Sequence, residues 1–357
     1  MRRAGVLAVA VVAFATTWGS APSALAAAEH DPPMFAYYYI WYDPTSWDRA
    51  KTDHPVQGNY SSDLDSVMRQ HVRWAKAAGI DGFIVSWKST HVLNPRLATM
   101  AEIAQQEDFT LGVMYQGLDF YRNPLPVRQV ATDLRYFADE FAPLPAFDLY
   151  EKPLVIWSGT WEFSPDDIQR VTGPLRDELL IMATERTPED YERIAELVDG
   201  EAYYWSSVNP ATYPGYEAKL QDMSDAVDRH GDRWIAPAAP GFDARLVGGS
   251  TVVPRNGGRT LRREYDAAVA SSPDMVGLIS WNEFSENTHI EPSENHGMRY
   301  LDVLADIRGA TLDVGGGFDS SEPSGTDQSP VRILMLIGYG AGAFLLLASI
   351  GARRKSG

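Results

Sequence analysis

Between residues 30 and 308 the chain alternates two kinds of segment, and this alternation limits its fold more than any other feature. Short apolar runs rich in β-branched and aromatic residues lie at 35–42 (FAYYYIWY), 81–87 (DGFIVSW), 109–115 (FTLGVMY) and 153–157 (PLVIW). Four more follow at 178–184 (ELLIMAT), 201–207 (EAYYWSS), 233–239 (RWIAPAA) and 275–281 (MVGLISW). Helical spacing occupies 63–78, 95–106, 127–141, 188–198, 213–230 and 260–270. In the first of these, Leu64, Val67, Met68, His71, Val72 and Ala75 share one face. Strands that are apolar throughout, alternating with amphipathic helices, predict parallel strands covered on their outer side. Eight such units in about 280 residues fit the α/β class and a single (β/α)8 barrel of the TIM type. An open doubly wound sheet is the rival, but the first strand lacks the glycine-rich turn that a nucleotide-binding fold needs after it.

The two ends predict export and anchoring. Residues 1–26 read as a secretory signal peptide: Arg2 and Arg3, an apolar stretch, then Ala24-Leu25-Ala26 as the cleavage site. Residues 333–350 (ILMLIGYGAGAFLLLASI) are uncharged and long enough to cross a bilayer, which predicts a transmembrane helix over 331–352. Arg353, Arg354 and Lys355 follow in a tail at 353–357, so the positive-inside rule places the 30–308 domain outside the cell, on a single-pass membrane protein. Gly, Ser, Asp and Pro dominate 309–330, as in a flexible linker.

With no cysteine, the chain has no disulfides and no acylated lipoprotein cysteine. The formal net charge of −17 becomes more negative once the basic termini are set aside. Such a surface repels nucleic acid and suits a neutral ligand. HExxH, an EF-hand loop and a Cys/His cluster are all missing, as is G-x-S-x-G, so no metal, no cofactor and no serine-hydrolase triad is expected.

A barrel of this kind carries its active site at the C-terminal ends of its strands. The residues there are mostly aromatic and acidic, among them Tyr42, Trp87, Tyr204, Asn282, Glu283 and Glu286. Aromatic faces stack on sugar rings, and carboxylates and amides bond hydroxyls. Glu283 and Glu286 leave the eighth strand three residues apart. On an extended strand they would face opposite sides; a helical turn after Trp281 would bring them to one side. Glycoside cleavage needs two carboxyl groups around one bond. The spacing fits that pair, and it equally fits a solvated acidic loop. Asp243 either bonds sugar hydroxyls or fixes its own loop. His54 and His289 are the histidines placed to reach the cleft, or else they are satisfied within their loops.

WNEFSENTHIEPS resembles the NEWHEGTQIE signature of glycoside hydrolase family 99, the endo-α-mannosidases and endo-α-mannanases. Asn282, Glu283, Glu286, Thr288, Ile290 and Glu291 match in register. GIDGFIVSW (79–87) is similar to the family's second strand and YYYIWYDP to its first. APAAPGFDARLV (236–247) is similar to its PGYDD segment, followed by Asn256, Arg259 and Tyr265. The resemblance spans about 35–300. It implies a retaining mechanism in which Glu283 deprotonates the mannose 2-hydroxyl, a 1,2-anhydro sugar forms, and Glu286 is general acid and then base. Tyr42, His54, Trp87, Tyr204, Asp243, Asn282, His289 and Glu291 are then the candidate substrate contacts, and the partner is a glycan such as α-mannan or a mannosyl oligosaccharide. Phe284, Ser285, Asn287 and His289 depart from the signature, and Ala244 replaces an acid. A glycan-binding envelope protein without catalysis, or a hydrolase of another envelope glycan, are the alternatives.

Overall fold

The computed structural model describes residues 31–312. The signal peptide, the transmembrane segment, the tail and nearly all of the linker lie outside these residues. Among the described residues, no helix is long and apolar enough to cross a membrane.

Eight parallel strands form one sheet: β1 (Met34–Tyr39), β2 (Gly82–Trp87), β3 (Thr110–Gln116), β4 (Leu154–Ser158), β5 (Leu180–Met182), β6 (Gly200–Ala202), β7 (Arg233–Ala238) and β8 (Met275–Leu278). Their spatial order is 5-4-3-2-1-8-7-6. The first and last strands are therefore neighbours, with Met34 opposite Val276 and Phe35 opposite Gly82 on the other side. The edges β5 and β6 meet through a parallel bridge between Ala183 and Glu201. Ala183 donates to the Gly200 carbonyl at 2.8 Å, and Ala202 donates to the Ala183 carbonyl at 2.9 Å. The sheet thus closes into the expected barrel.

Alternation along each strand sorts side chains into two layers. Phe35, Tyr37, Tyr39, Ile84, Met114 and Ile156 fill the barrel interior. Met34, Ala36, Tyr38, Phe83, Val85 and Trp87 face the helices. Gly82 leaves room inside: a Cβ there would stand 2.2 Å from the Phe35 ring.

The helices are α1 (Asp65–Ala77), α2 (Leu93–Gln106), α3 (Val127–Glu140), α4 (Pro165–Thr172), α5 (Pro188–Glu192), α6 (Tyr216–Asp228), α7 (Arg259–Ala270) and α8 (Arg299–Ile307). α1 buries Val67, Met68, His71, Val72 and Ala75, the face its spacing predicts. Two helices go beyond the expected set. α4 is short, started by Ser164 capping the Asp167 N–H with Pro165 in the first turn. α8 follows the acidic loop. The helix expected over 188–198 is instead α5 and a separate 3-10 turn, Ala195–Leu197, broken at Ile194.

Candidate active site

The chain leaves β8 and doubles back at the C-terminal mouth of the barrel. Trp281 donates to the Tyr37 carbonyl at 2.8 Å, which continues the pairing with β1. Ser280 donates to the Thr288 carbonyl and Ile290 to the Ser280 carbonyl, both at 3.0 Å. Between these rungs a tight turn runs from Phe284 to Asn287, with Asn287 in the left-handed region at φ 54°. A turn, and not a helix, resolves the spacing problem of the acidic pair.

Glu283 and Glu286 are both buried, with 2% and 1% exposure, so neither is part of a solvated loop. They act on the same place. The hydroxyls of Tyr39 and Tyr204 meet at 2.7 Å. Burial first, and then the charges of Glu283 and Glu286 among other neighbours, push the ionisation of both tyrosines well up. Two buried carboxylates thus act electrostatically on one phenol pair at the mouth.

The loop backbone holds each acid. The Glu283 N–H donates to Ser280 Oγ at 2.9 Å, and Ser280 Oγ is 2.9 Å from Thr288 Oγ1. Glu283 Oε1 accepts the Ser285 N–H at 2.9 Å. Burial pushes the Glu283 carboxyl up to about 7, against the opposing pull of the Ser285 N–H and the Lys51 ammonium. The Glu286 carbonyl accepts the Asp243 N–H at 2.7 Å, which ties the segment after β7 to the acid turn.

Several expected substrate contacts do other work. Tyr42 donates its hydroxyl to the Asn282 carbonyl at 2.5 Å and stacks on Trp47 at 4.7 Å between centroids. The Asn282 amide is saturated by protein: its Oδ1 accepts Tyr39 N–H at 2.8 Å, and its Nδ2 donates to Tyr39 O at 2.9 Å and to Tyr60 Oη at 3.2 Å. Trp87 corrects the expectation outright. It points away from the barrel interior, packs among Tyr115, Phe137 and Phe141, and donates Nε1–H to Asn94. Tyr204 does reach the site, as the partner of Tyr39.

His289 lies beneath the turn, stacked on Phe284 at 4.1 Å. Arg255 donates to its carbonyl at 2.7 Å, and its Nε2 is 3.1 Å from Asp53 Oδ2. Burial and then Arg255 push His289 down to about 3, so the imidazole is neutral. His289 and Phe284, two departures from the family signature, therefore pack on each other. Asp53, His289 and His296 bring three possible ligand atoms within 4.8 Å. Asp53 Oδ1 already accepts the His54 and Asn295 N–H groups, so this cluster reads as a strap between two loops.

His54 sits half-buried at the rim with Nδ1 3.1 Å from Asn59. Asp243 caps the turn Ala244–Val247 and pairs with Arg245, whose hydrogen bonds hold its carboxyl below the usual range. That is the loop-fixing role. Glu291 is fully buried and accepts the Tyr60 hydroxyl at 2.8 Å, which removes it from the substrate contacts. Sequence reasoning missed Tyr39, Lys51, Tyr60 and Arg255. Tyr39 could have been found as an inward position at a strand end; the others lie in loops whose residue pattern carries no signal.

Comparison with known proteins points the same way. The profile of Glycosyl hydrolase family 99 matches residues 43–309. The glycoprotein endo-alpha-1,2-mannosidase of Rattus norvegicus is 23% identical over 307 residues, 77% of this chain. The chain spans 64% of that relative's length. The GH99 endo-alpha-mannosidase of Bacteroides thetaiotaomicron shares the fold, with a TM-score of 0.67 at 20% identity over 78% of this chain and 98% of that one. A second structure of the enzyme gives a TM-score of 0.65, again at 20% identity, over 77% and 97% of the two chains. With the profile covering the barrel from just after β1 to beyond α8, the chain belongs to glycosyl hydrolase family 99.

Proposed function

We propose that this chain is an endo-acting α-mannoside hydrolase that works with retention through a 1,2-anhydro sugar. The observation that carries the reading is the burial of two carboxyl groups, Glu283 and Glu286, in one turn after the last strand, both acting on the ionisation of the Tyr39–Tyr204 hydroxyl pair at the barrel mouth. The names of the rat relative and the Bacteroides structure support the α-mannoside class.

In the first step Glu283 takes the proton of the 2-hydroxyl, O2 attacks C1, and the bond from C1 to the leaving oxygen breaks as Glu286 protonates that oxygen. In an α-mannoside the 2-hydroxyl is trans to the leaving group, so backside attack is open. In the second step Glu286 takes a proton from water, the water oxygen attacks C1, the C1–O2 bond breaks, and O2 recovers its proton from Glu283. Two inversions give retention. Glu283 must be charged and Glu286 protonated at the start, which requires environments that separate their pKa values.

The terminal segments at 1–26 and 331–352 support an exported protein tethered by one membrane helix, with the barrel outside the cell. The glycan would then be an envelope or extracellular mannan. The test is incubation of the protein and of Glu286→Gln with α-mannan and mannosyl oligosaccharides, with products identified by mass. Cleavage by the parent and loss in the variant, at unchanged melting temperature, is the expected result. Equal turnover by both would overturn the assignment, and calorimetric binding without product would make the chain a glycan-binding protein.

A further inference from the structure

Behind the carboxylate turn runs a line of buried polar side chains that the proposed chemistry leaves idle. The Tyr38 hydroxyl is 3.0 Å from His71 Nδ1. His71 Nε2 stands 3.2 Å from Glu291 Oε1, angled off the line of an ideal hydrogen bond. Glu291 Oε2 accepts the Tyr60 hydroxyl at 2.8 Å. Tyr60 Oη then accepts from Asn282 Nδ2 at 3.2 Å. Tyr38, His71, Glu291, Tyr60 and Asn282 are all 3% exposed or less.

The line has a direction. The Tyr60 hydroxyl donates to Glu291 Oε2 and so spends its one proton. Its oxygen is left as an acceptor, and only the NH2 end of Asn282 can face it. That same amide orientation lets Asn282 donate to Tyr39 O and accept from Tyr39 N–H, at 2.9 and 2.8 Å. Reversing the amide would set two donors and two acceptors against each other. Asn282 immediately precedes Glu283, and Tyr39 is the residue whose hydroxyl bonds Tyr204 and feels the charge of both acids. Burying five polar side chains in a row adds little stability over well-packed apolar ones, which points to a geometric role.

We propose that His71, Glu291 and Tyr60 are positioning residues: they fix the orientation of the Asn282 amide, and through it dock the Glu283 segment onto the end of β1. The kinetic part of the test rests on the hydrolase reading above; the exchange part does not.

The variants are Tyr60→Phe, which removes one oxygen, and Glu291→Gln, which puts an amide that can turn either its oxygen or its NH2 to Tyr60 in place of the carboxyl. Each should lower kcat about 10²-fold with KM within about twofold, the signature of a misplaced reacting group. The double variant should lose no more than the worse single one, because both cut the same line. Amide hydrogen exchange over residues 283–288 should quicken in both variants. Exchange equal to the parent's in both would overturn the inference, as would losses that multiply in the double variant. A raised KM at unchanged kcat would make these residues substrate contacts and overturn it too. If Glu291→Gln does not fold, Tyr60→Phe carries the test. A parent without glycosidase activity would end the hydrolase reading, and exchange over 283–288 would then decide this inference by itself.

Discussion

Glu283 Oε1 accepts the backbone N–H of Ser285, two residues on, at 2.9 Å, so the acid turn folds around its own carboxylate. Burial nevertheless raises this carboxyl to about 7, because the hydrogen bonds it accepts from Ser285 and Glu286 and a half-buried Lys51 do not replace its lost water. A base must be deprotonated to act. The rate kcat/KM should therefore climb as pH rises through about 7 on its acidic side. A pH–rate profile on an α-mannoside checks this, and a limb centred near 4.5, the ordinary glutamate value, would contradict it.

The same shift carries a stability cost with a defined sign. A folded-state value of about 7 against 4.5 means that the folded chain holds this proton more tightly than the unfolded chain. Stability from this group is therefore full below about 4.5 and declines until about 7, by about 3 kcal/mol. Glu185, also pushed up to about 7 by burial, adds a slope of the same sign. Glu283→Gln removes one slope and leaves those of Glu185 and of Glu201 and Glu264, which burial also raises. Denaturant melts at pH 5 and pH 8 should show a smaller loss in the variant than in the parent, and equal losses would refute the assignment.

Trp87 packs outside the barrel against Phe137 and Phe141. Trp87→Phe should lower stability by about 1–3 kcal/mol through lost packing and an unpartnered Asn94 oxygen, and leave KM within about twofold. Chemical denaturation and steady-state kinetics separate the two effects. A large KM rise would return Trp87 to the substrate site.

Gly200 opens β6 at φ 153°, and a Cβ there would stand 2.1 Å from the Arg233 carbonyl oxygen and 2.8 Å from the Met182 methyl. The backbone oxygen cannot swing aside as a side chain does. Gly200→Ala should cost about 3 kcal/mol or more, measured as a drop in melting temperature, by prising β6 from β7 beside the seam. A loss under about 0.5 kcal/mol, the size of an ordinary surface change, would show that the strand simply shifts.

The barrel was legible because each strand announces itself by composition, and eight such strands with helices between them leave few architectures. Glu283 and Glu286 were legible through position and the signature. Side-chain direction was not. β2 is buried on both faces, so the alternation that would reveal which way Trp87 points is missing from GFIVSW. Hydrogen-bond saturation was not legible either. Asn282 and Glu291 sit in the signature, but their partners Tyr39 and Tyr60 are 243 and 231 residues away. The eight residues of α4 offer just two turns of periodicity, too little to stand out before the structure shows its cap.

β1 and β8 lie side by side, and the acid turn is pinned to the end of β1 through Tyr37, Tyr39 and Tyr42. The pieces that must touch are thus made at opposite times in synthesis. Until Glu291 has emerged, the nascent polypeptide has no assembled cleft, however well its earlier units have packed. Premature termination anywhere upstream leaves a fragment without the completed acid turn.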